Sequence, residues 1–255
     1  MMTTRSRPIS DEVKATPEAY GGEGAGGAGL PFTALIWGAG VGYNGARPLL
    51  LQGDLMLVLR SNPASPFVRK VRIVAALLDL DGRIELSNAD TSDQADSLRV
   101  QNPLGKIPAL ILENGEVFYD SAVIVEYLDG LAGGGRVIPA DPARRFRSLT
   151  RQALGDGICE AAVLLRYEQL WREPAQRSEK WMAYQRDKID RALAASEKDP
   201  PEELDDVGTV ALACALGYLD LRFGGDWRGR RPTLVEWLEV FSEATPSFEA
   251  TRLKG

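Results

Sequence analysis

The chain has 255 residues, 44% of them hydrophobic and 26% charged, a globular composition long enough for one large domain or two small ones. A formal net charge of -6 offers nothing global to a nucleic-acid backbone or an anionic membrane, so neither is expected as a partner and any anionic ligand must be held locally. Histidine is absent, which excludes the Ser/His/Asp triad, the Cys/His dyad and every metal site built on histidine.

Residues 1–54 are glycine-rich, with "YGGEGAGGAG" and "WGAGVGYNGARP", and follow no period of 2 or 3.6. Such a segment cannot bury enough apolar surface to offset its ordering entropy, so a disordered extension is expected. "LPFTALIW" within it is long enough to dock, and an alternative is that translation begins at Met56.

From Leu55 to about Ala132 the elements alternate. "LMLVLR" reads as a strand, and "PFVRKVRIVAALLDL" as a helix with Phe67, Val71, Val74 and Leu78 on one face. "RIELSN" reads as a second strand, and a helix is expected over 93–101. "PALILENGEVFYD" predicts a hairpin around Asn114-Gly115, and "SAVIVEYLDGLA" a closing helix. The order βαβ, α, ββα predicts a four-stranded mixed sheet with helices on its faces.

"GGGRVIPAD" opens with glycines and predicts a linker at 133–140, after which no strand pattern recurs. Asp141 and Pro142 start a long helix as N-cap and first helical residue, running to about 171. Further helices are expected at about 175–198, 207–222 and 232–244, so that 141–255 is all-helical. Cys159 and Cys214 lie within helical patterns, where a small buried thiol is the default over a disulfide. The basic row Arg144, Arg147 and Arg151 has helical spacing and reads as a solvated stripe. No apolar run reaches the roughly 18 residues of a membrane span, and the first thirty residues lack the apolar core of a signal peptide. A soluble protein of a reducing compartment, most simply the cytoplasm, is expected.

Local chemistry gives Ser65 and Pro66 an ordinary role as N-cap and first helical residue. Asp120 and Ser121 read equally well as a cap without a ligand, and Pro108 as the start of an edge strand.

Taken together, the βαβ unit, "NPLGKIPAL" before a hairpin, an acid and a serine before a helix, and a following helical domain resemble the cytosolic glutathione S-transferases of bacterial type. The resemblance spans residues 55–255. It implies a thioredoxin-like α/β domain over 55–132 that binds glutathione as co-substrate, and an all-α C-terminal domain. It also implies a homodimer and no metal. Ser65 takes the place whose hydroxyl or thiol faces the glutathione sulfur, in a Ser-Pro-Phe context (Pro66, Phe67) where redox-active relatives carry Cys-Pro-Phe. The family pattern implies a cis Ile107-Pro108 bond that lets Ile107 pair with the cysteinyl backbone. Lys106 is then placed to meet a glutathione carboxylate, the alternative being a solvated lysine. Ser121 takes the γ-glutamyl carboxylate and Asp120, where glutamate is usual, the ammonium. "DDVGTVALACALGYLDLRF" is similar to the family's buried helix, with its Ser/Thr-x-x-Asp cap inverted to Asp206-x-x-Thr209.

The activity so implied is conjugation of glutathione to a small apolar electrophile in detoxification, with residues 142–171 and the mouth of the Ser65 loop shaping the electrophile pocket. The alternatives are a non-enzymatic binding or regulatory protein of the same fold and a glutathione-dependent isomerase or dehalogenase. Serine at position 65 cannot form a mixed disulfide, which argues against thiol-disulfide exchange there.

Overall fold

The computed structural model describes residues 56–253. The glycine-rich extension expected at 1–54 lies outside the described residues.

Strands β1 (Leu57–Ser61), β2 (Ile84–Asn88), β3 (Ala109–Ile111) and β4 (Val117–Phe118) form one sheet in the order β2-β1-β3-β4. β1 is interior to the sheet, with Leu57 and Leu59 buried in the core. It runs parallel to β2, with Leu59 opposite Leu86, and antiparallel to β3, with Leu59 opposite Leu110. A parallel pair needs a crossover, and helix α1 (Pro66–Leu77) supplies it. Val71, Val74 and Leu78 are buried as the sequence pattern predicts, and Phe67 packs half-buried against them. The helix stops earlier than its pattern because Asp79 takes a left-handed φ of 59° and the Leu80 N–H turns back to the Ala75 carbonyl at 2.8 Å. In the hairpin, Gly115 at φ 83° makes the turn and the Asn114 side chain accepts from the Glu116 N–H at 2.9 Å.

The helix expected over 93–101 is reduced to α2 (Leu98–Gln101). Aspartates cause the difference. Asp90, Asp93 and Asp96 each accept from the N–H two residues on, at 2.8, 2.8 and 2.7 Å, which offers the backbone an alternative to the helix. Arg60 of β1, itself buried, fixes the segment by bonds to Asp96, Ser97 and Gln101, each 2.7 Å. Bonds from the Leu98 and Asp90 N–H groups, with Arg60 adding to them, hold the Asp96 carboxyl below its ordinary range.

After α3 (Ser121–Leu131) the chain turns on Gly133, Gly134 and Gly135, all at positive φ. The buried carboxylate of Asp129 holds this turn by accepting from the N–H groups of residues 135, 136 and 137 at 2.8–3.0 Å. The rest is helical: α4 (Pro142–Trp171), α5 (Glu179–Lys198), α6 (Val207–Phe223), α7 (Pro232–Ala244) and α8 (Pro246–Ala250). α5 starts later than its pattern because Pro174–Gln176 make a separate turn and Ser178 caps the helix. The fold is a thioredoxin-like α/β half joined to an all-α half, and no helix among the described residues is long and apolar enough to cross a membrane.

α6 is apolar nearly all round and lies between α1 and α4. Asp206 caps it by accepting from the Thr209 N–H at 2.9 Å, while the Thr209 hydroxyl donates to the Asp206 carbonyl at 2.7 Å. Threonine thus meets the backbone carbonyl and not the N–H that a carboxylate would take. The Arg144 and Arg151 guanidiniums lie 3.9 Å from Glu203, so these two members of the basic row are spoken for by weak ion pairs. α4 and α6 touch backbone to backbone: a Cβ on Gly155 would stand 2.6 Å from the Ala211 carbonyl carbon. Gly155→Ala is therefore expected to lower stability by about 1–3 kcal/mol, because neither backbone can give way. Urea unfolding of the two proteins measures it, and a midpoint equal to the parent's contradicts the tight contact.

Candidate functional site

Strand register brings the site residues to one edge of the sheet. Arg60 pairs with Ala109, so Pro108 is level with Ser61, the last residue of β1. Leu110 pairs with Phe118, so Asp120 is level with Pro108. Ser65, Pro108 and Asp120 therefore all lie where β1 ends, β3 begins and β4 ends.

Ser65 is the N-cap of α1, with Pro66 buried in the first turn. Its hydroxyl oxygen accepts from the Val68 N–H at 3.3 Å. A hydroxyl has one hydrogen and two lone pairs, so capping leaves the hydrogen to donate elsewhere. No acidic residue stands in the first turn, and the positive end of the helix keeps its partial charge.

The Ile107-Pro108 bond is cis, and so is Tyr119-Asp120. The Lys106 carbonyl is held by the Asn102 side chain at 2.8 Å while the lysine itself is exposed. At α3, the exposed Asp120 caps the helix by accepting from the Ala122 N–H at 2.9 Å, and Ser121 is buried. Here too a cap and a helix N-terminus coincide, the arrangement that suits a carboxylate ligand.

Two clefts adjoin these residues. One of about 30 Å³ is bounded by Ser65, Pro66, Arg69, Cys214 and Tyr218, and has room for about one water. The other, about 720 Å³, has Lys106 and Leu104 on one wall and Tyr167, Trp171 and Trp181 on the other. The first is far below the roughly 300 Å³ of a small-molecule pocket, and the second exceeds it. Lys106 is on its wall; Ser65, Asp120 and Ser121 are not, so the structure groups the predicted residues by sheet edge and not within one cavity.

The aromatic wall belongs partly to the expected 142–171 stretch and partly to α5, through Trp181, which the sequence reading did not single out. Its signal is present in the chain: Tyr167 with Trp171, and Trp181 with Tyr184, stand at helical spacings yet are all exposed.

A second feature was not anticipated. Lys70 on α1 is buried and donates to both oxygens of Asp156 on α4, at 2.8 and 2.6 Å. A lysine next to Val71 on the inward face of an amphipathic helix is the sequence signal, but its partner, 86 residues away, is not legible.

Both cysteines are free and buried. Burial pushes the Cys159 thiol well up and that of Cys214 to about 12, so neither is a nucleophile at neutral pH. Among the described residues no three His, Cys, Asp or Glu side chains gather to hold a metal ion.

Residues 64–131 match the model of the glutathione S-transferase N-terminal domain. An uncharacterized GST-like protein of Escherichia coli (strain K12), YibF, is 38% identical over 181 residues, covering 69% of this chain and 88% of its own. A glutathione transferase family member from Pseudomonas fluorescens Pf-5, solved with bound glutathione, is 45% identical with a TM-score of 0.73. That match covers 78% of this chain and 100% of the other. A structure of a family member from the same organism with bound S-(propanoic acid)-glutathione is also 45% identical, with a TM-score of 0.70 and the same coverage of 78% and 100%.

The buried thiols give a direct test. In the native protein neither cysteine is expected to react with iodoacetamide at pH 8, and both react once the chain is unfolded in denaturant. Mass spectrometry of the two samples checks this, and a singly labelled native protein contradicts the burial of one thiol.

Proposed function

The chain belongs to the glutathione S-transferase family, and from that premise we propose that it binds glutathione along the sheet edge and activates its thiol for attack on a small apolar electrophile. The observation that carries this reading is the capping hydroxyl of Ser65, which keeps its hydrogen free at an uncompensated helix N-terminus.

The chemistry follows from charge. A thiol with an ordinary pKa of about 8.5 is mostly protonated at pH 7, and the thiolate is the nucleophile. A hydrogen bond to a charged group contributes roughly 1.5–3 kcal/mol and one pKa unit corresponds to roughly 1.4 kcal/mol. One bond from Ser65 therefore lowers the thiol by a unit or two, which lifts the thiolate share at pH 7 from about 3% to between about a quarter and three quarters. Pro66 presets the first turn of α1, and Phe67 packs its base against the core.

At the far end of the tripeptide, Ser121 and the N-terminus of α3 receive the γ-glutamyl carboxylate and Asp120 the ammonium. Ile107, beside the cis proline and ahead of the paired residues of β3, presents its backbone to the cysteinyl unit, and Lys106 meets a carboxylate. The electrophile lies against Tyr167, Trp171 and Trp181. The Pseudomonas fluorescens relative with S-(propanoic acid)-glutathione supports a site with room for a group on sulfur.

A homodimer, acting in the cytoplasm in detoxification, completes the proposal. Val123 of α3 and Phe146 of α4 are exposed apolar residues flanking the Arg145–Glu126 ion pair, a face suited to a second copy. Sedimentation at equilibrium tests the dimer, and a monomer at micromolar concentration contradicts it.

Ser65→Ala is expected to raise the pKa of bound glutathione by about 1–2 and to lower turnover near neutral pH roughly eight- to twenty-five-fold, with partial recovery at alkaline pH. The ultraviolet absorbance of the thiolate against pH measures it; an unchanged titration removes Ser65 from the mechanism. Asp120→Ala and Ser121→Ala are expected to raise KM for glutathione with little change in kcat, since they hold the ligand in ground and transition states alike. A fall in kcat at constant KM contradicts the binding role.

A further inference from the structure

The small cleft beside Ser65 is too narrow for a whole electrophile but not for one of its atoms. At about 30 Å³ it has room for one water, or for one oxygen of a ligand. Its polar walls are Ser65, Tyr218, Arg69 and Arg252, and no aspartate or glutamate bounds it. Two hydroxyls and two guanidiniums without a carboxylate favour an oxygen that carries negative charge.

Arg69 stands one turn after Ser65, whose carbonyl accepts from its backbone N–H at 3.0 Å, and its Nη1 lies against Gly217 of α6. Among the described residues its bonds go to neutral groups: Nη2 donates to the Phe248 carbonyl at 2.6 Å and Nε to the Thr251 hydroxyl at 3.3 Å. Glu249, the carboxylate that acts on Arg69, is bonded by Arg252 at 2.6 Å and by Ser242 at 2.9 Å. Arg252 is thereby committed, and Arg69 is the cation left to the cleft. Tyr218 is buried, which pushes its hydroxyl pKa up and keeps the proton on it at neutral pH. Its oxygen accepts from Arg222, so the proton is left to donate. Tyr167, on the wall of the large cleft, is close enough to act on the same hydroxyl.

We propose that this cleft receives the oxygen of a conjugated carbonyl electrophile, with Tyr218 and Arg69 as catalytic residues that hold the oxygen while it gains charge. The inference rests on the reading that Ser65 holds the glutathione sulfur. The thiol first gives its proton to water. The thiolate then forms a carbon–sulfur bond at the β-carbon of the enone, the carbon–carbon π pair shifts toward the carbonyl carbon, and the carbonyl π pair moves onto oxygen as an enolate. Water returns a proton at the α-carbon, so the sum is addition of S–H across the double bond with no leaving group. The apolar remainder of the electrophile lies toward Tyr167. Donors already aimed at the oxygen act more strongly on the enolate-like transition state than on the ground state. Displacement of a halide leaves its charge on the departing ion and makes no use of an oxygen site.

The test compares two electrophiles with glutathione, a phenyl-substituted enone and benzyl chloride, in the parent, Tyr218→Phe and Ser65→Ala. Tyr218→Phe is expected to lower kcat for the enone roughly ten- to a hundredfold, to leave that for benzyl chloride within about twofold, and to leave the thiolate titration of bound glutathione unchanged. Ser65→Ala is expected to slow both electrophiles alike. A Tyr218→Phe protein that slows both equally, as a merely structural role requires, or slows neither, overturns the proposal. Should Tyr218→Phe not fold, Arg69→Lys decides by the same comparison, because it keeps the charge but withdraws the guanidinium from the cleft. A parent that turns over benzyl chloride but not the enone defeats this inference and leaves the Ser65 reading standing. A parent that turns over neither and shows no thiolate absorbance defeats both.

Discussion

The antiparallel ladder between β1 and β3, with Leu59 opposite Leu110, is the contact on which the site depends. It sets Pro108 level with the end of β1, and through β4 it sets Asp120 level with Pro108. Because strand side chains alternate, a slip of one residue would turn Leu110 out of the core and carry the cis proline away from the Ser65 turn. Burial of Leu59 and Leu110 thus fixes, at a distance, where Pro108 and Asp120 lie. Two helices then begin at that edge, and each contributes a capped N-terminus with partial positive charge.

The helical half supports this edge from behind. α6 is buried on nearly every side, and its contact with α4 is close enough to require glycine at 155. α4 has two duties as a result. Its middle carries Asp156 to Lys70, and its last turns carry Tyr167 and Trp171 to the large cleft. A displacement of α4 would move the charge behind α1 and the aromatic wall together, so packing, electrostatics and cleft shape are linked through one helix.

The alternation of elements was legible because each carries its own signal. Val71, Val74 and Leu78 mark one face of α1, and Asn114-Gly115 marks the hairpin. Ser65, Asp120 and Asp141 were legible as caps, since an oxygen side chain before a helical run is read locally. What failed was either competition or distance. The 93–101 stretch has helical length, but three aspartates bind their own backbone and Arg60 holds them from another strand, so only α2 forms. Read locally, Lys70 is one more charged residue of an amphipathic helix. Its burial depends on Asp156, and no local pattern couples residues that far apart. The aromatic wall divides in the same way: Tyr167 and Trp171 fall within the anticipated helix, whereas Trp181 enters through the packing of α5 on α4.

Position of the sulfur is the most direct test of the central claim. A crystal structure of the protein with glutathione should place the sulfur within hydrogen-bonding reach of the Ser65 hydroxyl, about 3.0–3.5 Å, with the γ-glutamyl carboxylate at the Ser121 end of α3. Glutathione bound with its sulfur remote from Ser65, or with its γ-glutamyl end away from Ser121, would contradict it.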